Sequence, residues 1–283
     1  MRGGRIDPVS IVLRIAACAS AACAALAGVG MIGFILIKGV PHIAPSLFAW
    51  RYTSDNVSMT PAIINTVIMT AMALLIAAPL GILAAVYLSE YARRGSRAVR
   101  IIRVASETLA GIPSIIYGLF GFLFFVVALR WGLSMLAGGF TLSIMILPLV
   151  TRTAEEALLA VPDMYREGSF ALGAGRVRTV FRVALPAAAP GILAGVILAV
   201  GRVVGESAAL ILTAGTAAKA SASLMKSGRT MAVHMYNLSS EGLHINQTYA
   251  CAVVLIALAA MINALSSWAA RKAERAALGG GND

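Results

Sequence analysis

Glu167-Gly168-Ser169-Phe170-Ala171-Leu172-Gly173, followed after nine residues by Val183-Ala184-Leu185-Pro186, is the stretch on which the reading of this chain turns. It lies in a charged segment, 151–186, set between two long apolar runs. Pro162 and Asp163 predict a helix start. Proline suits the first turn, where its missing N–H would be unpaired anyway, and an acid there favours the positive end of the helix dipole. Gly173 and Gly175 predict the end of that helix, because glycine accepts the left-handed geometry that closes helices. Beyond them Val177, Val180, Phe181, Ala184 and Leu185 fall at i, i+3, i+4, i+7 and i+8, with Arg176, Arg178 and Arg182 facing elsewhere. This spacing predicts a second helix, amphipathic and interfacial.

With 59% hydrophobic and 12% charged residues among 283, the chain is too apolar for a soluble fold and predicts a polytopic membrane protein. Six runs predict six transmembrane helices in an all-α integral membrane fold, at about 15–37, 62–88, 108–129, 131–150, 187–216 and 249–270. The charged loop 151–186 falls between the fourth and fifth, inside a permease-like domain 15–272, with short tails at 1–14 and 273–283. The first run is too long for the core of a cleavable signal and predicts a retained span. Of the 23 Lys and Arg residues, sixteen fall in segments assigned to one side, including Arg93, Arg94, Arg97, Arg100 and Arg103. Six fall on the other side, so the positive-inside rule predicts cytoplasmic termini and a cytoplasmic 151–186 loop. The same clustering explains the formal charge of +11 without nucleic acid, since the arginines border apolar runs with little aromatic interleaving.

No G-x-x-x-x-G-K-[ST] phosphate cradle occurs, so energy from ATP must come through a partner. His42, His234 and His244 fall in predicted outside loops, and Cys18, Cys23 and Cys251 lie inside apolar runs. This leaves no catalytic set, metal set or cofactor site. Arg202 and Glu206 form the one oppositely charged pair inside an apolar run, and their spacing of four predicts a shared helical face. Intramembrane charge faces a cavity or a partner. Two readings fit: a mutually neutralising pair that orients the fifth helix, or an arginine that attracts a passing oxyanion and a glutamate that neutralises it when the path is empty. Gly191 with Gly195, and Gly201 with Gly205, predict close helix packing, internal or against a second subunit. Arg103, one turn before Glu107, predicts a surface ion pair. Lys219, Lys226 and Arg229 in the outside loop fit either a solvated face or an anion-steering one.

The Glu167-to-Pro186 pattern resembles the cytoplasmic "EAA" signature of ABC-importer permeases, with Gly168 and Ser169 in place of the usual two alanines. Gly111-Ile-Pro-Ser-Ile-Ile-Tyr-Gly-Leu-Phe-Gly121 and Gly201-Arg-Val-Val-Gly-Glu-Ser-Ala-Ala-Leu-Ile-Leu-Thr-Ala-Gly215 are similar to the permeases of the high-affinity phosphate importer. Met231-Ala-Val-His-Met-Tyr-Asn-Leu238 narrows the resemblance to the A-type subunit. It implies the ABC type I importer architecture, with a coupling helix carrying Glu167, Gly168, Ser169, Phe170 and Gly173 that docks into an ATPase subunit, and with Leu185 and Pro186 closing the motif. It also implies a second, C-type permease, an ATPase dimer that binds the ATP, a periplasmic phosphate-binding protein, and phosphate passage at Arg202 and Glu206. Importers of sulfate, molybdate or phosphonate share the central loop. An ion-driven secondary transporter is the rival of another class, and its usual inverted repeats and broken helices are not visible in the sequence.

Overall fold

A computed structural model describes residues 8–93, 95–220 and 223–279. Arg2, Arg5 and Arg94, along with most of the predicted glycine-rich tail, lie outside the described residues. The backbone is all helical: α1 (Pro8–Gly39), α2 (Thr60–Val86), α3 (Arg97–Ala110), α4 (Ser114–Gly121), α5 (Met135–Leu159), α6 (Asp163–Ala171), α7 (Arg176–Thr179), α8 (Leu185–Val204), α9 (Ala208–Thr213), α10 (Met231–Glu241) and α11 (Ile245–Gly279). π-helical turns extend α2 to Tyr91 and α4 to Ala128, and another joins α7 to α8 without a break. Five helices are long and apolar enough to cross a membrane, and a sixth crossing arises when the bent pair 99–110 and 114–128 is counted as one span.

The centre of the bundle is α5, 67% buried over its membrane-length window, against 0% for α1 at the periphery. Met135, Leu142, Met145, Ile146 and Val150 of α5 pack with Met69, Ala73 and Ala77 of α2, Ala199 and Val203 of α8, and Leu210 of α9. Close approach of α8 to α5 depends on the Gly191/Gly195 pair: a Cβ on Gly191 would meet Ala157 Cβ at 2.7 Å, and one on Gly195 would overlap the Thr153 hydroxyl. This pair therefore packs internally. Gly201 and Gly205 have no such neighbour among the described residues.

Five sequence expectations need correction. The third span is not a gently kinked helix from 108 to 129: the chain turns through 101° between α3 and α4. Pro113 lacks the N–H that would bond the Leu109 carbonyl, and that carbonyl instead accepts the Tyr117 hydroxyl at 2.8 Å. The fifth span does not reach 216 as one helix; it stops at Val204 and restarts at Ala208 after Gly205-Glu206-Ser207. The segment 177–185 is not a separate interfacial helix but the first turns of a continuous 176–204 helix. Val180 and Ala184 bury in line with Ala188 and Ile192, so the apolar spacing marked a packing face. A π-helical turn at Val180–Ala184 accommodates Pro186, which cannot donate its backbone bond. Finally, α5 runs on to Leu159, supported by an Arg152–Glu156 pair at 2.9 Å and by buried Ala154 and Leu158, and residues 273–279 continue α11.

The loop predicted at 217–247 contains α10, whose Met231, Ala232, Val233, His234 and Leu238 are buried. Thr66 of α2 accepts the Met231 N–H at 2.8 Å, and Asn65 donates to the carbonyls of Lys219 and Arg229, each at 3.1 Å. Arg229 is only 5% exposed and stacks over the Tyr52 ring at 4.4 Å, so it is neither solvated nor open to steer an anion. Burial, with the positive charge of Arg229, lowers His234 from 6.5 to about 3. The folded chain therefore holds His234 neutral while the unfolded chain protonates it below about pH 6.5, so stability falls as the pH drops from there toward about 3. The loss is about 1.4 kcal/mol per pH unit over that window. Thermal melting of His234→Phe against the parent chain checks this, and the variant is expected to lose the acid-side slope.

Candidate functional site

α6 sits at one end of the bundle. Pro162 precedes it, Asp163 occupies its first turn, and Gly173, with φ +81°, turns the chain after Leu172. Glu167, Gly168, Phe170 and Gly173 are all exposed, as is the apolar Leu172 at 90%. Phe170 and Met164 add large apolar side chains to the same short helix, leaving it a face that nothing among the described residues covers.

Ser169 points the other way. Its hydroxyl lies 2.8 Å from the Thr179 hydroxyl, which ties α6 to the buried start of the 176–204 helix. A serine at this position has a contact that alanine could not make. At Gly168 a Cβ would meet nothing within 4 Å. Gly168→Ala is therefore expected to stabilise α6 by about 1 kcal/mol without a clash, measured as a raised melting temperature with α6 docking retained. Leu185 and Pro186 lie half-buried in the 176–204 helix, away from the exposed face of α6.

The strongest contacts of α6 involve residues that the sequence reading did not single out. Arg166 Nε and Nη2 donate to Glu90 at 3.0 and 2.7 Å, and Nη1 and Nη2 donate to the carbonyls of Val161 and Leu158, each at 2.8 Å. One guanidinium thus joins the π-helical end of α2, the last carbonyls around the end of α5, and α6. The hydrogen bond to Glu90 raises the Arg166 pKa further above its ordinary value. The side chains are 15% and 8% exposed, so the pair is largely shielded from water. A cavity of about 700 Å³ lies beside it, lined by Glu90, Arg93, Asp163, Arg166, Phe170 and Arg176 among others. Glu90 is an acid at the edge of an arginine-rich loop, and that was the one available sequence signal.

Arg103 also departs from expectation. It does not pair with Glu107 one turn on but reaches Glu155 of α5 at 2.6 Å.

Arg202 and Glu206 do not share a helical face. Arg202 is in the last turn of α8, while Glu206 lies beyond that helix and accepts the Ala209 N–H at 3.2 Å, capping α9. Among the described residues no carboxylate lies within ion-pair distance of Arg202. Tyr117, whose hydroxyl donates to the Leu109 carbonyl, fixes the α3–α4 bend. α4 and α9 meet where a Cβ on Gly118 would lie 2.7 Å from Ala209 Cα. Two interrupted spans thus meet through α4 and α9, and Arg202 stands in the last turn before the second break, with no carboxylate partner among the described residues. Broken helices, invisible as such in the sequence, are present after all. Among the described residues no cluster of His, Cys, Asp and Glu could hold a metal ion.

This architecture is that of a transport permease, and the chain belongs to the family described as the binding-protein-dependent transport system inner membrane component, which matches residues 77–277. It is therefore a multi-pass inner-membrane permease subunit, of a kind that works with an ATPase and a substrate-binding protein. Among individual proteins, it is similar to the probable ABC transporter permease YqgI of Bacillus subtilis, with 32% identity over 78% of this chain and 81% of that protein. It is also similar to the phosphate transport system permease PstA 1 of Mycobacterium tuberculosis, at 39% identity over 54% of this chain and 50% of that protein. The chain thus spans about half the length of that relative. The fold matches the structure of a bacterial ABC transporter involved in import of the acidic polysaccharide alginate, with TM-score 0.66, 16% identity, and coverage of 92% of this chain and 95% of that one.

Proposed function

We propose that this chain is the A-type permease subunit of an ATP-driven importer that moves inorganic phosphate inward by alternating access. The observation that carries this reading is Arg202: a half-buried residue without an acid partner among the described residues, in the last turn before the break between α8 and α9. Such a charge attracts an oxyanion, and without a fixed counter-ion beside it the site is able to exchange its cargo. Glu206, engaged at the start of α9, holds the break open instead of neutralising Arg202. Identity to phosphate permeases supports the choice of phosphate among oxyanions.

In this reading both termini and α6 face the cytoplasm, and α10 faces the periplasm, where a phosphate-binding protein delivers its cargo. A C-type permease completes the path. An ATPase pair takes up ATP and grips the exposed Glu167, Phe170 and Gly173 surface. When the pair closes, α6 moves, and Arg166 carries that motion to α2 and α5.

The test is uptake of labelled phosphate by proteoliposomes containing the assembled importer and its binding protein. Unlabelled phosphate is expected to displace the label, and equal sulfate, molybdate or phosphonate is not. Displacement by one of those anions at equal strength would reassign the substrate.

A further inference from the structure

α3 has two dissimilar sides. Val99, Arg103 and Ser106, at i, i+4 and i+7, face α5, with Val99 buried and Arg103 fixed to Glu155 at 2.6 Å. Ile101 and Val104, which are 67% and 56% exposed, lie on the rest of the helix, while Ile102 and Leu109 border a groove against α2 and α5. Arg97 and Arg100 stand exposed one turn before Ile101 and Val104, and Arg93 is exposed in the loop just before the helix. None of the three has a carboxylate partner among the described residues.

Orientation gives this arrangement its meaning. α3 meets α4 at 101°, so with α4 set along the bilayer normal α3 lies parallel to the membrane surface. A helix so placed buries its apolar strip at the headgroup and acyl boundary, while arginines at its edge extend toward the headgroups. The surface in question is the arginine-rich one, where anionic lipid attracts basic side chains.

We infer that α3 is a membrane-surface helix that binds anionic phospholipid headgroups through Arg97 and Arg100, with Arg93 adjoining, and seats Ile101 and Val104 among the acyl chains. The inference rests on the inward orientation proposed above. Because Arg103 joins α3 to Glu155 on the central helix, lipid held at α3 is fixed to the same helix whose end meets Arg166. The interfacial helix anticipated at 177–185 is thus found one loop earlier in the chain, on α3.

The experiment uses the assembled importer in nanodiscs, with Cys18 and Cys23 changed to serine and a fluorophore on Ile101→Cys; Cys251 is buried. Nanodiscs carry either brominated phosphatidylglycerol or brominated phosphatidylcholine at equal fraction. The expected result is quenching by both, several-fold stronger with the anionic lipid, and loss of that preference in Arg97→Gln/Arg100→Gln. Equal quenching by both lipids in the parent would overturn the headgroup assignment. Absence of quenching, meaning that a second permease or water covers the strip, would overturn the placement. ATP-dependent phosphate uptake, measured in proteoliposomes of the same preparation, separates these outcomes from failure of the transport reading itself.

Discussion

Arg166→Ala in the assembled importer is expected to lower solute uptake at least tenfold while ATP hydrolysis by the partner subunits continues. The side chain removed is the one that binds Glu90 through two nitrogens and the carbonyls of Leu158 and Val161. Without it, α6 is held to the bundle by little more than chain connectivity and the Ser169–Thr179 contact with the 176–204 helix. The substitution also strands the Glu90 carboxylate at 8% exposure, a loss of about 3 kcal/mol for a buried pair deprived of one partner. Stability and coupling can be told apart with Glu90→Ala/Arg166→Ala, which leaves no stranded charge. The double variant is expected to recover much of the melting temperature and none of the uptake. Recovery of uptake along with the melting temperature would limit the pair to a structural role.

Arg202→Gln is expected to reduce uptake by about ten- to a hundredfold, the equivalent of a charge-assisted hydrogen bond worth about 1.5–3 kcal/mol. Because Arg202 has no ion pair to lose, the importer should assemble and melt as before. This profile is the opposite of the Arg166 one. Arg202→Lys keeps the charge but not the planar fork, and an intermediate uptake is expected. Co-purification of the partner subunits and the rate of labelled phosphate uptake measure the two halves of this prediction, and unchanged uptake would remove Arg202 from the path.

The parts of this molecule that were legible in the sequence are those fixed by local chemistry. Pro162, Asp163 and Gly173 bound α6 because a missing N–H, an acid at the dipole and a left-handed residue each act within one turn. Five of the six predicted crossings followed from run length. What stayed hidden was set by partners far away in the chain. Glu90 and Arg166 are 76 residues apart, and Arg103 reaches across 52 to Glu155 past the nearer Glu107. Neighbours along the chain suggested pairs that tertiary packing then replaced. The 177–185 segment shows a second limit, since apolar side chains at three- and four-residue spacing serve equally well against lipid or against α2 and α5. At 204–208 no proline announces the break, and the Glu206 carboxylate stabilises the restart by capping α9. α10 escaped notice because its first four residues, Met231 to His234, are all buried and show no one-sided pattern.

Uptake of labelled phosphate into proteoliposomes holding this chain, its partner permease, the ATPase pair and the binding protein tests the central claim most directly. Accumulation is predicted only when ATP is supplied on the α6 side, with none from vesicles that hold this chain alone. Accumulation by this chain alone, or by the full assembly without ATP, would contradict it.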